Sequence, residues 1–210
     1  MDFYDDKFTN ISFQKDCNQM LNTSQIYENQ FFNPQKNLSG AIKKKNPESE
    51  FALKFAQSYA ERFSKIHSGS NKTNTLFIRE VSISGNGIAD LLVFSWNQKR
   101  TYEDYMDLDL NQLNPTIRAF EFKMSDWRKG MMQAHRYKFF SNASNLVLPK
   151  QKLSPAVSHL DVFRKLRVGF WGFDDNTRSI TCIYTPRPMQ QQIPKYGNQA
   201  IKIATQVVCS

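Results

Sequence analysis

Eight residues, 117–124 (IRAFEFKM), constrain this chain more than any other stretch. Successive strand residues face opposite sides, so Ala119, Glu121 and Lys123 share one face and Phe120 and Phe122 the other. The two aromatic side chains place the strand in a core. The two ionisable groups are then costly to bury unless each meets a partner. Upstream, residues 87–94 (GIADLLVF) read as a second, more apolar strand with one carboxylate, Asp90, in its middle. Two apolar strands that each carry a central acid, with a lysine two residues past the second acid, predict a metal site with a helper cation.

The rest of the chain can support such a site. Its 210 residues suffice for one substantial core and a tail. No run approaches the ~18 consecutive apolar residues of a membrane span, and Asp2, Asp5 and Asp6 do not open a secretory leader. Cys17, Cys182 and Cys209 lack metal-ligand spacing and read as free thiols, so a cytoplasmic location is expected. The net charge of +9 is unevenly spread. Residues 1–50 hold 6 basic and 7 acidic side chains, whereas 116–153 hold 8 and 2, and 154–210 hold 7 and 3. The positive field therefore surrounds and follows the Glu121–Lys123 strand, which suits a polyanion such as nucleic acid; solvated surface lysines are the plainer reading.

Three regions are expected: an Asn/Gln-rich arm or tail over 1–47, a core over 48–185 and a C-terminal extension over 186–210. Residues 48–67 predict a helix that starts at Asn46-Pro47, with Glu48 and Glu50 in its first turn and Phe51, Phe55, Tyr59 and Phe63 as an apolar stripe. A strand over 75–84 and a Gly/Asn turn lead into the Asp90 strand. Residues 97–115, with Glu103, Asp104, Asp107 and Asp109, read as a solvated acidic loop, since they lack the pattern of a calcium loop. After Lys123, Ser125 is a plausible cap for a helix over 125–140, and a buried strand at 145–149 makes a parallel crossover. Gly130 in mid-helix implies a close approach to the sheet. A helix over 155–166, strands over 167–173 and 178–184, and a strand or tail over 200–208 complete the expectation.

The chemistry follows from hard-cation coordination. A cation such as Mg²⁺ takes oxygen ligands, usually one or two of them protein carboxylates. It can polarise a phosphodiester and lower the pKa of a water. Asp90 and Glu121 supply those ligands if their strands are neighbours. Lys123, about 6.5–7 Å along the strand from Glu121, can orient the nucleophile and stabilise developing charge.

Asp90 within Gly87-Ile88-Ala89-Asp90, Glu121-Phe122-Lys123, the preceding helix with Glu50 and the following Gln133-Ala134-x-x-Tyr137 resemble the PD-(D/E)xK nuclease superfamily. The helix motif is similar to that of its RecB-like and lambda-exonuclease-like branch. The resemblance covers roughly residues 48–173, and Ala89 stands where the family pattern has Pro. It implies an α/β restriction-endonuclease-like fold, a central mixed sheet flanked by helices. It implies a Mg²⁺- or Mn²⁺-dependent nuclease acting on nucleic acid, DNA first, with a homodimer as one way to cut both strands. Asp90, Glu121 and a first-helix acid, Glu50 or its rival Glu61, would be metal ligands; Asp90, Glu121, Lys123 and Gln133 would be catalytic. Arg128, Lys129, Arg136 and Lys138 on the following helix would bind phosphate. Trp127 and Trp171 are core residues or base-stacking platforms. Glu80 is a further ligand or, preferably, a partner of Arg79 or Arg118. A non-catalytic nucleic-acid-binding or complex-forming module on the same fold is the alternative.

Overall fold

The computed structural model describes residues 26–28, 46–66, 73–97 and 113–208. Most of the Asn/Gln-rich arm with Lys43-Lys44-Lys45, the acidic stretch 98–112, His67, Cys17 and Cys209 lie outside them. The described residues form an α/β structure around one mixed sheet. Six strands make its body: β2 (Thr73–Ile83), β3 (Gly87–Asn97), β4 (Thr116–Phe122), β5 (Ala143–Pro149), β6 (Gly169–Asp174) and β7 (Ser179–Tyr184). A three-residue strand, β1 (Ile26–Glu28), extends the edge, and the spatial order β1 to β7 is the chain order. β2, β3 and β4 are antiparallel, β4, β5 and β6 are parallel, and β7 closes the sheet antiparallel to β6.

The Gly/Asn turn is present: Gly85 and Gly87 sit at φ +75° and +90°, where a glycine avoids the Cβ penalty. Helix α1 (Pro47–Ile66) begins as its sequence predicts. The Asn46 side chain accepts a hydrogen bond from the Glu48 amide, and Pro47 takes the first turn. Phe51, Phe55 and Tyr59 are buried against Phe120, Phe122, Trp171 and Phe173, with ring centroids 5.2–6.4 Å apart. Burying each such ring contributes roughly 1.5–3 kcal/mol. The opposite face, with Leu76, Leu92, Phe94, Ile117 and Ala119, packs on Tyr137 and Phe140. Thus the alternation of β4 is realised, and both of its faces are buried.

Between β4 and β5 runs α2 (Trp127–Arg136), followed by a 3₁₀ turn at Tyr137–Phe139. Its cap is Asp126 rather than Ser125: the Asp126 carboxylate accepts from the Lys129 amide at 3.1 Å. The predicted helix over 155–166 is two pieces, α3 (Ser154–Val157) and α4 (Leu160–Leu166), broken at Ser158–His159. The larger correction is at the C-terminus. Residues 200–208 belong to a helix, α5 (Pro194–Val208), whose Ala200, Ile201, Ala204 and Val207 are buried on the sheet with the core residues above. Residues 200–207 are therefore part of the core. Trp127 and Trp171 are both core residues at 7% exposure, and Trp127 stacks on His159.

Candidate active site

The register of β3 on β4 pairs Leu91 with Phe120. The ladder ends at that pair, and Asp90, the next residue of β3, lies close enough to Glu121 for their charges to interact. Like charges so placed repel each other and, when buried, lose hydration as well. The Phe122 amide donates to Asp90 Oδ2 at 2.8 Å. Glu121, 1% exposed, is held from both sides: Lys123 Nζ lies 2.8 Å from its Oε1, and its Oε2 meets the Tyr137 hydroxyl. Tyr137 also donates toward the Ile88 carbonyl at 2.6 Å, so the tyrosine ties Glu121 to the strand that carries Asp90. Lys123 reaches the Phe122 carbonyl at 3.0 Å and Glu48 Oε2 at 3.4 Å.

Glu48 is the first-helix acid of this site. The expectation of Glu50 is corrected by the helix geometry. Residues two apart lie about 200° apart around a helix, so only one of the two faces the sheet. Glu50 points to the other side and pairs with Lys54 at 3.3 Å, which in turn meets Asp175. Glu61, exposed nearly four turns along α1, is not near the helix start either. The apolar stripe held the missed signal: Glu48 lies three residues before Phe51 and so falls on the buried face. Glu80 makes no ion pair among the described residues. It stands opposite Asp90 at φ +55°, a left-handed conformation that costs a non-glycine residue about 1–3 kcal/mol. With Asn46, Glu48, Ser49, Arg79 and Asp90 it lines a cleft of ≈ 50 Å³. Arg79 donates instead to the Ser49 carbonyl and hydroxyl.

The electrostatics follow from this crowding. Burial, then the Glu121 charge, pushes Asp90 up to about 7. Burial also raises Glu121, against the hydrogen bonds from Lys123 and Tyr137. For Lys123, burial alone would lower the pKa, but Glu121, Asp90 and Glu48 together raise it and keep the ammonium charged. Tyr137 is pushed far up by burial and by Glu121, so its hydroxyl stays protonated and can donate. The site thus gathers more negative than positive charge in a buried place. That demand for positive charge suits a hard divalent cation on Asp90 and Glu121. Among the described residues no group of three or more His, Cys, Asp or Glu is set to bind a metal ion. An ion here would therefore complete its shell with water and substrate oxygens, as Mg²⁺ ordinarily does.

Helix α2 backs the site. A Cβ on Gly130 would lie 2.7 Å from Lys123 Cγ and 2.6 Å from Leu146 Cδ1, which is the close approach its sequence position implies. Gly130→Ala should therefore destabilise the protein. An overpacking cost of about 1–3 kcal/mol exceeds the ~1 kcal/mol gain in helix propensity. Thermal melts of the variant check this; an unchanged or higher Tm would contradict the contact. Gln133 lies three residues after Gly130 and four before Tyr137, so it shares their face. Its side-chain oxygen is buried with no hydrogen-bond partner among the described residues, an unmet acceptor beside the site. Tyr137→Phe should cost about 1–3 kcal/mol and raise the Glu121 pKa further, because the lost hydrogen bond lowers it. Carbon-13 titration of Glu121 and a denaturant melt would read both effects.

The four basic residues expected beside the site separate. Arg128 and Lys129 are exposed in the first turn of α2, at the Lys123 end, with the Arg128 guanidinium 4.5 Å over the Trp127 ring. Arg136 is exposed at the far end of the helix. Lys138 is turned away: its Nζ donates to the Leu166 carbonyl at 3.0 Å, in a different pocket. No described helix is long and apolar enough to cross a membrane. Family models, curated proteins and solved structures compared with this chain give no match.

Proposed function

We propose that this protein is a metal-dependent nuclease of the PD-(D/E)xK type, hydrolysing phosphodiester bonds in nucleic acid, with DNA the first substrate. The observation that carries the reading is the pair of acids on neighbouring strands, half-buried Asp90 and buried Glu121, with Lys123 at 2.8 Å from Glu121. Asp90 and Glu121 would hold Mg²⁺ or Mn²⁺. When bound, such an ion polarises the phosphate and lowers the pKa of a water. The chain's own groups set the rest of the chemistry. The Phe122 amide fixes the Asp90 carboxylate, and Tyr137 fixes Glu121. Lys123 holds its ammonium beside both acids, where it can orient the attacking water and meet the charge that grows on the phosphate. Gln133 offers a buried acceptor on the same side. Arg128 and Lys129, exposed in the first turn of α2, would contact backbone phosphates.

One observation favours a second reading. Lys123 already contacts Glu121 and Glu48, and a lysine neutralised in this way can be a structural ion pair in a non-catalytic nucleic-acid-binding module. The two readings part in one experiment. Single-stranded, linear duplex, circular and branched DNA are incubated with Mg²⁺ and with EDTA. Under the nuclease reading wild type cleaves only with metal, and Asp90→Ala and Lys123→Ala do not. Robust cleavage by both variants would sink the site assignment. DNA binding without any cleavage or metal binding would favour the second reading.

A further inference from the structure

A second pocket, of ≈ 190 Å³, opens where β5 begins, with Asn142, Ser144, Lys138, Arg167, Arg187 and Gln190 among its walls. Ala143 lies three residues before Leu146, the β5 partner of Glu121, which is about 10 Å along the strand. The pocket is thus separate from the carboxylate centre, and the chemistry of its walls is the reverse. No carboxylate lines it, and Lys138, Arg167 and Arg187 make no ion pair among the described residues. Lys138 spends one donor on the Leu166 carbonyl and keeps two. Burial and the nearby Arg167 charge both lower its pKa, as expected where cations gather without an anion.

Two further features point to a ligand. Ser144 lines the pocket, and its buried hydroxyl has no hydrogen-bond partner among the described residues. A buried polar group left so is unusual and needs a reason. Arg167 caps α4 at φ +52°, ψ +42°, the left-handed position where glycine is the usual residue. Arginine there carries backbone strain, yet it places a guanidinium at the pocket, donating to the Arg187 carbonyl at 3.2 Å. The outer wall is pinned: the Met189 amide donates to the Asn142 carbonyl at 2.8 Å, and the Gln192 amide to the Lys138 carbonyl at 3.1 Å. This is a preformed concave site with three cations and a spare buried hydroxyl.

We propose that this pocket binds a phosphate group, with Lys138, Arg167 and Arg187 opposing its charge and the Ser144 hydroxyl donating from the floor. Arginine and lysine together suit a phosphate dianion, which takes several charge-assisted hydrogen bonds. The volume admits a phosphate with a sugar and falls below the roughly 300–1,000 Å³ of pockets that enclose a whole drug-sized ligand. A phosphate of a nucleic-acid strand and a small phosphate ester share this chemistry.

The test uses the full chain in EDTA, so that the carboxylate centre takes no part. Inorganic phosphate is titrated by calorimetry and by thermal shift at constant ionic strength set with chloride. Phosphate should raise the Tm and chloride should not. Arg167→Gly removes the guanidinium and relieves the backbone, so the free variant should melt at or above the wild-type temperature. Its phosphate affinity should nevertheless fall about tenfold or more. Lys138→Gln should weaken binding in the same sense, and Ser144→Ala less so, while Asp90→Asn should leave it unchanged. Competition with a short oligonucleotide then identifies the source. Displacement only by the 5′-phosphorylated strand assigns a strand end, displacement also by the 5′-hydroxyl strand assigns backbone phosphates, and displacement by neither assigns a small phosphate ester. No phosphate-specific shift, or an affinity that Arg167→Gly and Lys138→Gln both leave unchanged, overturns the proposal.

Discussion

Asp90→Asn should abolish metal-dependent cleavage and, in the same molecule, stabilise the metal-free protein at alkaline pH. The loss of activity should be at least about 100-fold, since changing even an outer-shell partner of a metal ligand costs 10–100-fold. The gain in stability follows from the raised pKa. In the unfolded chain Asp90 ionises near 3.8, and in the folded protein at about 7. Between these values the folded state holds the proton more tightly than the unfolded state does. The contribution of Asp90 to stability is therefore fully present below pH 3.8 and is lost as pH rises through 7. Asparagine keeps an oxygen for the Phe122 amide and has no charge to bury. The expected gain at pH 8 is on the order of 2–4 kcal/mol, because each pKa unit corresponds to 1.36 kcal/mol. Urea melts in EDTA at pH 5 and pH 8 read it: the gap between wild type and variant should be about a third as large at the lower pH as at the higher. Parallel curves would mean that Asp90 is not strained by its burial.

Lys123→Ala should produce the opposite imbalance. It leaves Glu121, 1% exposed, and Glu48 without their ammonium. Breaking a buried pair by removing one partner costs about 3–5 kcal/mol. The lysine holds the Glu121 pKa down, so its loss raises that pKa further. Protonation then relieves the variant as the pH falls, and the stability deficit should be large at pH 8 and small at pH 5. Millimolar Mg²⁺ should restore part of the deficit at pH 8, since the ion returns positive charge to the same acids. Cleavage should stay depressed by about 10²-fold or more even at saturating metal, the range lost with one positioned proton-transfer or charge-stabilising group. Thermal melts with and without Mg²⁺ separate the two effects. A variant as stable as wild type across this pH range would remove Lys123 from the cluster.

The carboxylate pair was legible because strands transmit it directly. A period of two puts Glu121 and Lys123 on one face, and apolar residues on both sides of Asp90 force its strand into the sheet. The Gly85–Gly87 turn sets β2 beside β3 and the short crossover through α2 sets β4 beside β5, while the adjacency of β3 and β4, which brings the two acids together, is seen only in the fold. Gly130 was legible for a similar reason, because a glycine in a helix interior needs a close neighbour to explain it. The first-helix acid was harder. Glu48 and Glu50 are equally suited to a first turn by dipole arguments, and only the direction of the Phe51–Phe55–Tyr59 stripe decides between them.

Sequence alone determined the strands that carry the acids and the lysine and their order along the chain, since local period and polarity suffice for those. Tertiary structure decided the rest, where local signals conflict or are silent. Ile201, Ile203, Thr205 and Val207 alternate like a strand, while Ala200, Ala204 and Val207 repeat like a helix. Burial of the second set against the sheet selects the helix. Lys138 follows the site helix by only two residues, yet the 3₁₀ turn at Tyr137–Phe139 carries it to the other pocket. Arg167 and Arg187 join it from segments 29 and 49 residues away in the chain, a meeting set by the packing of β5 against β6 and of the 186–192 segment against Asn142.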